Sequence, residues 1–521
     1  MMNTTPMYWV GDWSGQRCRL TPDRLAVIEP ATDRKLSYRE LDERACRLGH
    51  WLQQHLGLTA GDVVVLISEN RLEALDAGLA CGKTGIVLAP ISHRLSSAEA
   101  SLLIDRLQPK AILFDDSLRE FVDSLTGSAP GLPRLDFGSC DSTYARDVET
   151  TTARPIQKAR SMQDPFLYIH TGGSTGLPKI CRINHEQMHW NAIELLVAAV
   201  DGLGRRRELL LFPLFHIGGW NTALPILYAG GCLVMPHRFD ATDSLRQIEQ
   251  YAVNHFGAVE AMLRAMSASP VFDEVSLASL EGITTAGAPC SEQAMAPFFD
   301  RGIAVSQAYG LTEAGPSNFI HARDGKTRAE LRADSDSVGQ AFFHCDYRIV
   351  DPDRLEPLAP GEVGELQLRS PHSFAGYLGD PERTQARQTA DGWIRSGDLA
   401  CEGHDGKVRI IGRLDHVIVS GGENIAAEEL EAVLGAHPGV QAALAFGIPD
   451  EKWGERPVVW LQGPSPGDEA GIMEWLAPRL ARFKQPKALV VVEALPLTGA
   501  GKLDRQAARR HFLQTQQGEG S

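Results

Sequence analysis

Residues 168–180 read Tyr168-Ile-His-Thr-Gly-Gly-Ser-Thr-Gly-Leu-Pro-Lys-Ile180. A short apolar run, Phe166 to Ile169, leads into a loop carrying three glycines, three hydroxyl side chains and one lysine. This pattern predicts a strand followed by an amide-rich anion cradle. Gly172, Gly173 and Gly176 lack a Cβ, so their backbone can approach a ligand closely. Thr171, Ser174 and Thr175 add hydroxyl donors, and Lys179 adds a point positive charge. Together they suit a polyphosphate. A Gly/Ser surface turn is the plainer alternative for such a loop. A Walker A loop is excluded, because Leu177 and Pro178 separate Gly176 from Lys179 where that loop needs Gly-Lys-Ser/Thr in succession.

Working outward, the chain alternates strand and helix signals on both sides of this loop. Ser37 caps a helix that runs to about Leu56, with Glu40 at capping-box spacing. Val63–Ile67 and Gly85–Pro90 are short apolar runs of the buried-strand type, with a helix ending near Gly82 between them. After the loop come an amphipathic helix from His185 to Val200, strands at Leu209–Phe212 and Cys232–Met235, and a helix from Asp240 to Asn254. Such alternation implies parallel α/β layers. Arg205-Arg206-Arg207-Glu208 is the densest charge run and reads as a solvated loop without a function. Around 340–411, short β-type runs broken by Gly, Pro and Asp predict a small antiparallel or barrel-like subdomain. From about 415 a compact α+β pattern follows, and the Gln/Gly-rich tail after Arg510 is expected to fray.

The bulk numbers fit a soluble globular chain of 521 residues, 43% hydrophobic and 22% charged. A net charge of −15 argues against nucleic acid or an anionic membrane as the main partner, since both require basic faces. An anionic ligand must then be drawn by local cations and amides. Nine scattered cysteines, with no C-x-x-C pair, read as reduced cytosolic thiols. No signal peptide and no apolar run of ~18 residues is visible, so a cytoplasmic protein without a membrane span is expected.

Thr171-Gly-Gly-Ser-Thr-Gly-Leu-Pro-Lys179 closely resembles the signature loop of the acyl-adenylate-forming superfamily. That superfamily includes acyl-CoA synthetases, adenylation domains of peptide synthetases, and luciferases. Further stretches match it in order. Pro213-Leu-Phe-His216-Ile-Gly-Gly resembles the motif whose histidine borders the acyl pocket. Thr285-Ala-Gly287-Ala288-Pro289 resembles the small-residue turn against adenine. Gln307-Ala308-Tyr309-Gly310-Leu-Thr312-Glu313 resembles its partner. The resemblance implies that Tyr309 packs on adenine, Thr312 contacts phosphate and Glu313 holds Mg²⁺, which takes one or two carboxylates plus phosphate oxygens. Ser396-Gly397-Asp398 resembles the ribose-binding Gly-Asp motif, and Gly412-Arg413-Leu-Asp415 the arginine followed by the hinge. Ser420-Gly421-Gly422-Glu423-Asn-Ile resembles the loop near the pantetheine arm of CoA. Gly501-Lys502-Leu503 lies in a motif like the one with the adenylating lysine.

Individually each stretch has a plain structural reading: a core histidine, a turn before a helix, a Gly-Asp turn, one exposed lysine among many. Their shared order, over about residues 20–510, is what identifies the resemblance. It implies an α/β fold, with a large N-terminal domain of two α/β layers and a small β-barrel-like subdomain over residues 1–414. This domain is hinged at Asp415 to a small α+β C-terminal domain, 415–521. It implies Lys502, Glu313, Thr175 and His216 as catalytic groups. ATP contacts fall on residues 171–176, Lys179, Gly287 to Pro289, Gln307 to Gly310, Thr312, Asp398, Arg413 and Lys502. His216, Ile217, Trp220, Asn221, Gly287 and Gly310 are the candidate acid pocket, in which Trp220 either shortens or flattens the space or is plain core packing. Gly421, Gly422 and Glu423 are the candidate CoA contacts. Three positions depart from the family pattern: Ile180 stands for a glycine, His416 for an aspartate and Ala427 for a proline.

The activity implied is an ATP- and Mg²⁺-dependent ligation of a carboxylic acid to CoA through an acyl-adenylate, by a monomer or homodimer. A free-standing enzyme that loads a carrier-protein thiol is the alternative. A non-catalytic binder of the same fold would be expected to lack Lys502, Glu313 or Asp398, and all are present.

Overall fold

The computed structural model describes residues 5–171, 179–198, 202–321, 326–420, 423–450, 453–482, 484–497 and 503–518. Contacts divide the chain into two units, Met1–Asp346 with Leu368–Ile394, and Tyr347–Gln367 with Arg395–Ser521. The stretch expected to form a small β-rich subdomain, 340–411, is thus divided between them, with 347–367 and 395–411 in the second unit.

The first unit is built on two mostly parallel sheets. One orders its strands Arg134–Phe137, Ala111–Asp115, Val63–Ile67, Val87–Pro90, Pro165–Thr171 and Lys179–Asn184. The other orders Gln340–Ala341, Gly315–Ile320, Ala304–Leu311, Gly282–Thr285, His255–Ala258, Arg207–Leu209, Cys232–Val234, Leu25–Glu29 and Arg34–Ser37. The central strands of both pair in parallel, and antiparallel pairing is confined to the edges. Parallel strands are buried on both faces, which is why Val63–Ile67 is an unbroken apolar run rather than an alternating one.

The helix Tyr38–His55 begins as its spacing predicts. The Glu40 carboxylate accepts from the Ser37 backbone N–H at 2.8 Å, and Ser37 Oγ accepts from the Glu40 N–H. Its buried residues Leu41, Ala45, Leu48 and Leu52 recur at helical spacing. The helix Ala241–Gln250 is capped by Asp240, whose side chain accepts from Asp243 N–H. The strand expected at Leu209–Phe212 instead spans Arg207–Leu209, though Leu210 N–H still donates to Val234 O at 2.8 Å.

That shift overturns the reading of the charge run as a solvated loop. Arg207 and Glu208 are strand residues, and Glu208 is 2% exposed. Ile180, the unexplained departure, is a strand residue opposite His170, packed with Ile67, Ile112 and Phe114 under the sheet.

The second unit carries the four-stranded sheet Asp346–Val350, Val363–Arg369, Ile394–Glu402, Val408–Arg413. It also carries a five-stranded sheet in which Val417–Ser420, Glu423–Ala426, Ala442–Asp450, Gly454–Gln462 and Ala488–Val491 pair. Helices Ala427–Gly435 and Glu469–Leu476 place Leu430, Leu434, Ile472 and Leu476 in a core against it. The tail expected to fray after Arg510 is helical as far as it is described. A helix runs Arg505–Gly518, because Ala508, Phe512 and Leu513 pack on Leu444, Phe446 and Trp460. No helix among the described residues is long and apolar enough to cross a membrane.

Candidate active site

The candidate groups of the first unit gather at the carboxyl ends of the parallel strands, where open α/β sheets bind ligands. The strand Ala304–Leu311 turns through Thr312-Glu313-Ala314 into its antiparallel partner Gly315–Ile320. The Tyr-Gly-x-Thr-Glu stretch therefore closes a hairpin and does not begin a helix. Gly310 is needed there, since a Cβ would lie 2.2 Å from Pro316 O.

A second segment holds this turn. Phe374 N–H donates to Glu313 O at 2.9 Å, and Ser370 Oγ donates to Ala314 O at 3.0 Å. Further on, Ala375 and Leu378 donate to Arg182 O and Ile180 O, at 3.0 and 2.8 Å. Residues 374–378 therefore stitch the Glu313 turn to the strand Lys179–Asn184 that leaves the glycine loop.

Three side chains meet at this seam. Tyr377 Oη donates to Glu313 Oε1 at 2.7 Å, and Lys179 Nζ lies 5.4 Å from the centre of the Tyr377 ring. Arg387 approaches Glu313 at 3.9 Å. Burial and the adjacent Glu313 charge push the Tyr377 phenol up, so it stays a donor. Glu313 is 6% exposed. It is a buried carboxylate on the same tyrosine that the loop lysine approaches, which fits a hard cation that keeps phosphate oxygens and waters as its other ligands.

The remaining adenine-motif residues divide into surface and buttress. Gly287, Ala288 and Pro289 are an exposed turn after the strand Gly282–Thr285. Gly287 has φ +84°, and nothing lies within 4 Å of where its Cβ would be, leaving open space above the backbone. Tyr309 packs edge-on against buried Phe319, 6.1 Å between ring centres. Gln307 is a brace: its Oε1 accepts from Cys290 N–H at 3.0 Å, and its Nε2 donates to Ser335 O at 2.5 Å.

Next to these residues lies a cavity of about 800 Å³. Asn221, Ala286, Ala308 and Ser317 line it, as do Phe212, Gly257, Thr284 and His255. Of the six residues expected to form the acid pocket, Asn221 is in its wall, and Gly287 and Gly310 directly follow or nearly follow Ala286 and Ala308. His216 marks the start of the helix Ile217–Ala229, with its ring 6.2 Å from that of His170. Burial holds His170 down at about 4, and its Nε2 accepts from Ser92 N–H at 3.1 Å, so the ring is neutral.

Of its two readings, Trp220 takes that of core packing. It has no exposed surface, and its indole N–H donates to Leu214 O at 2.6 Å. Its ring fills the space above Gly78, where a Cβ would come within 2.3 Å of it. Such a side chain packs the core behind the pocket and does not flatten it.

The cavity residues missed at the level of sequence follow the strand register. His255 pairs with Glu208 and Gly282, and Gly257 with Thr284. The intervening Leu209, Phe256, Ile283 and Val305 pack into the opposite core. Alternation within strands that otherwise read as buried runs was the available signal.

In the second unit, Asp398 and Arg413 face each other across paired strands and form an ion pair at 2.9 Å. Ser396 Oγ accepts from Asp398 N–H at 2.9 Å and so shapes the Gly-Asp turn. Arg413 Nε also donates to Asp415 at 3.1 Å. Burial would raise the Asp415 carboxyl, but Arg413 and His416 hold it below the usual carboxylate range.

His416 Nδ1 is bonded to Glu428, and Arg505 reaches both His416 and Glu431 while Nε donates to Ala445 O at 2.6 Å. The departure from aspartate at 416 is therefore tied into a network on the helix Ala427–Gly435, at whose start Ala427 is buried. Leu497 bridges Leu503, and Asp504 N–H donates to Pro496 O at 2.8 Å. Glu423 begins the strand Glu423–Ala426. Gly172 to Gly176, including Thr175, as well as Gly421, Gly422 and Lys502, lie outside the described residues.

Known proteins match most of the chain. A model of the AMP-binding enzyme family matches residues 15–378, and one of the AMP-binding enzyme C-terminal domain matches residues 429–502. The chain is 34% identical to a feruloyl-CoA synthase of an Amycolatopsis species, over 96% of this chain and 99% of that protein. It is 31% identical to an indoleacetate–CoA ligase of Aromatoleum aromaticum, over 96% and 98%. Among solved structures it is similar to the o-succinylbenzoate CoA synthetase of Bacillus subtilis in complex with an acyl-adenylate intermediate. That match has a TM-score of 0.85 at 25% identity, covering 97% of this chain and 98% of that one.

Proposed function

The chain belongs to the AMP-binding enzyme family, and we propose that it is an ATP-dependent carboxylic acid–CoA ligase acting through an acyl-adenylate. The observation that carries this reading is the seam of Glu313, Tyr377 and Lys179 at the turn of a hairpin whose Ala308, Pro316 and Ser317 line a cavity of about 800 Å³. The match to CoA ligases over nearly their full length supports it.

A carboxylate is a poor acyl donor because oxide is a poor leaving group. Attack on the α-phosphate of ATP, with loss of pyrophosphate, replaces oxide by AMP. Both reactants are anions, and the residues offset their repulsion. Lys179 and the 171–176 loop hold the polyphosphate. Gly287 to Pro289 and Tyr309 border the adenine, with Thr312 at the phosphate. Asp398, held by Arg413, accepts from the ribose hydroxyls. Glu313, fixed by Tyr377, would hold Mg²⁺, which when bound neutralises charge on the phosphates.

Lys502 serves the adenylation step. In the second step the CoA thiol, led past Gly421 to Glu423, attacks the acyl carbonyl and AMP departs. Asp415 is the hinge about which residues 415–521 turn between the steps, a rigid-body change of known type. The thiols of all nine cysteines are free and mostly buried, which supports a cytoplasmic location.

The test is to supply purified protein with ATP, Mg²⁺ and a panel of aryl, short, medium and long-chain acids. Acid-dependent pyrophosphate release followed by acyl-CoA formation is expected. Adenylation with transfer to a holo-carrier protein but not to CoA would replace this reading with a carrier-loading enzyme.

A further inference from the structure

One end of the cavity is polar and buried. Glu208 and His255 are 2% and 5% exposed, and His255 Nδ1 lies 2.8 and 2.9 Å from the two Glu208 carboxylate oxygens. His255 Nε2 lies 3.1 Å from Thr284 Oγ1. All three line the cavity. Strand register shows that they share one sheet face with Gly257, and that Ala286 follows Thr284 toward the carboxyl ends of the strands. From the Gly287 turn to Thr284 is about 10 Å at about 3.3 Å per residue.

We propose that Thr284 and the His255–Glu208 pair form a specificity-determining end wall, which selects acids bearing a hydroxyl group remote from the carboxylate on a compact, flat frame. This rests on the reading of the cavity as the acid site of a CoA ligase. Arg206 lines the same end, its guanidinium 3.3 Å from His255 Nδ1 and 3.7 Å from a Glu208 oxygen, so the wall holds both donors and acceptors, and a hydroxyl both donates and accepts. A methylene end would strip water from these groups and return no hydrogen bond. The frame is set by the walls. The Phe212 ring lies directly on Gly257, where a Cβ would come within 2.5 Å of it, so the ring itself, with Ala308, gives the cavity a flat wall.

The test compares 3-(4-hydroxyphenyl)propanoic acid with 3-phenylpropanoic acid and octanoic acid, in the wild type and in Thr284→Val and His255→Gln. The wild type is expected to favour the hydroxylated acid by at least tenfold in kcat/KM, since a site built to bond a hydroxyl penalises its absence. Each variant is expected to shrink that ratio severalfold, through loss of kcat/KM for the hydroxylated acid. Should a variant fold poorly, thermal shifts of the wild type with the two aryl acids provide the same comparison. Equal use of the two aryl acids, preference for octanoic acid, or an unchanged ratio in both variants overturns the end wall and leaves the ligase reading intact. Absence of pyrophosphate release with every acid instead overturns the ligase reading.

Discussion

Tyr377 donates its phenolic hydrogen to Glu313 Oε1 at 2.7 Å while its ring carries the Lys179 ammonium 5.4 Å from its centre. One side chain therefore positions both the candidate metal carboxylate and the loop cation. The two lie far apart in sequence, and Tyr377 reaches them because its segment pairs with the strand Lys179–Asn184 through a bridge to Cys181.

Glu313→Gln is expected to cut acyl-adenylate formation by about 10²–10³, the usual loss for one preorganised electrostatic group. Tyr377→Phe removes a hydrogen bond to a charged group, a loss of about 1.5–3 kcal/mol. Its effect is expected chiefly as a raised Mg²⁺ requirement, read from pyrophosphate release against Mg²⁺ concentration. Unchanged Mg²⁺ dependence in Tyr377→Phe would remove the positioning role.

Lys502→Ala is expected to abolish most acyl-adenylate formation yet spare thioester formation from supplied acyl-adenylate. The two half-reactions are measured separately, by pyrophosphate release and by acyl-CoA formation. Equal loss of both would contradict the use of two orientations about Asp415.

Gly78→Ala is expected to destabilise the protein by about 1–3 kcal/mol, because the new methyl overlaps a Trp220 ring that has nowhere to move. Denaturant unfolding checks this. Adding Trp220→Leu to the same chain is expected to recover part of the loss, since residues in contact couple.

Stability is expected to fall as pH drops from about 6.5 toward 4. Burial depresses His170 and His189 to about 4, and His185 and His372 to about 3. The folded protein keeps these rings neutral, while the unfolded chain protonates them near 6.5. Unfolding then takes up protons in this window, and each contributes a slope of about 1.4 kcal/mol per pH unit. Full stability is present above the unfolded value and lost as pH falls toward the folded values. In His185→Gln the slope between pH 6 and 5 is expected to shrink by about one proton. An unchanged slope would place the acid sensitivity elsewhere.

Much of the fold was legible because its signals are local. The capping box at Ser37 and Glu40, the unbroken Val63–Ile67 run and the strand-helix alternation each depend on neighbours within a few residues. The errors arose where distant chain segments decide. Arg205 to Glu208 has the composition of a solvated loop, yet Glu208 is buried because His255, on the adjacent strand, pairs with it. The Gln-rich tail is helical because its few apolar residues find Phe446 and Trp460.

By itself the sequence determined the chemistry. The Thr171–Lys179 loop, Glu313, Asp398 and Lys502 are sparse polar groups whose order and type suit acyl adenylation whatever surrounds them. Only the tertiary structure decided which side chains line the cavity. It retired Trp220 to the core, placed Ala286 and Ala308 in the wall, and brought Glu208, His255 and Thr284 to one end of the cavity. The reason is geometric: a pocket wall is assembled across parallel strands, and which residues share a face depends on a register that no single strand encodes.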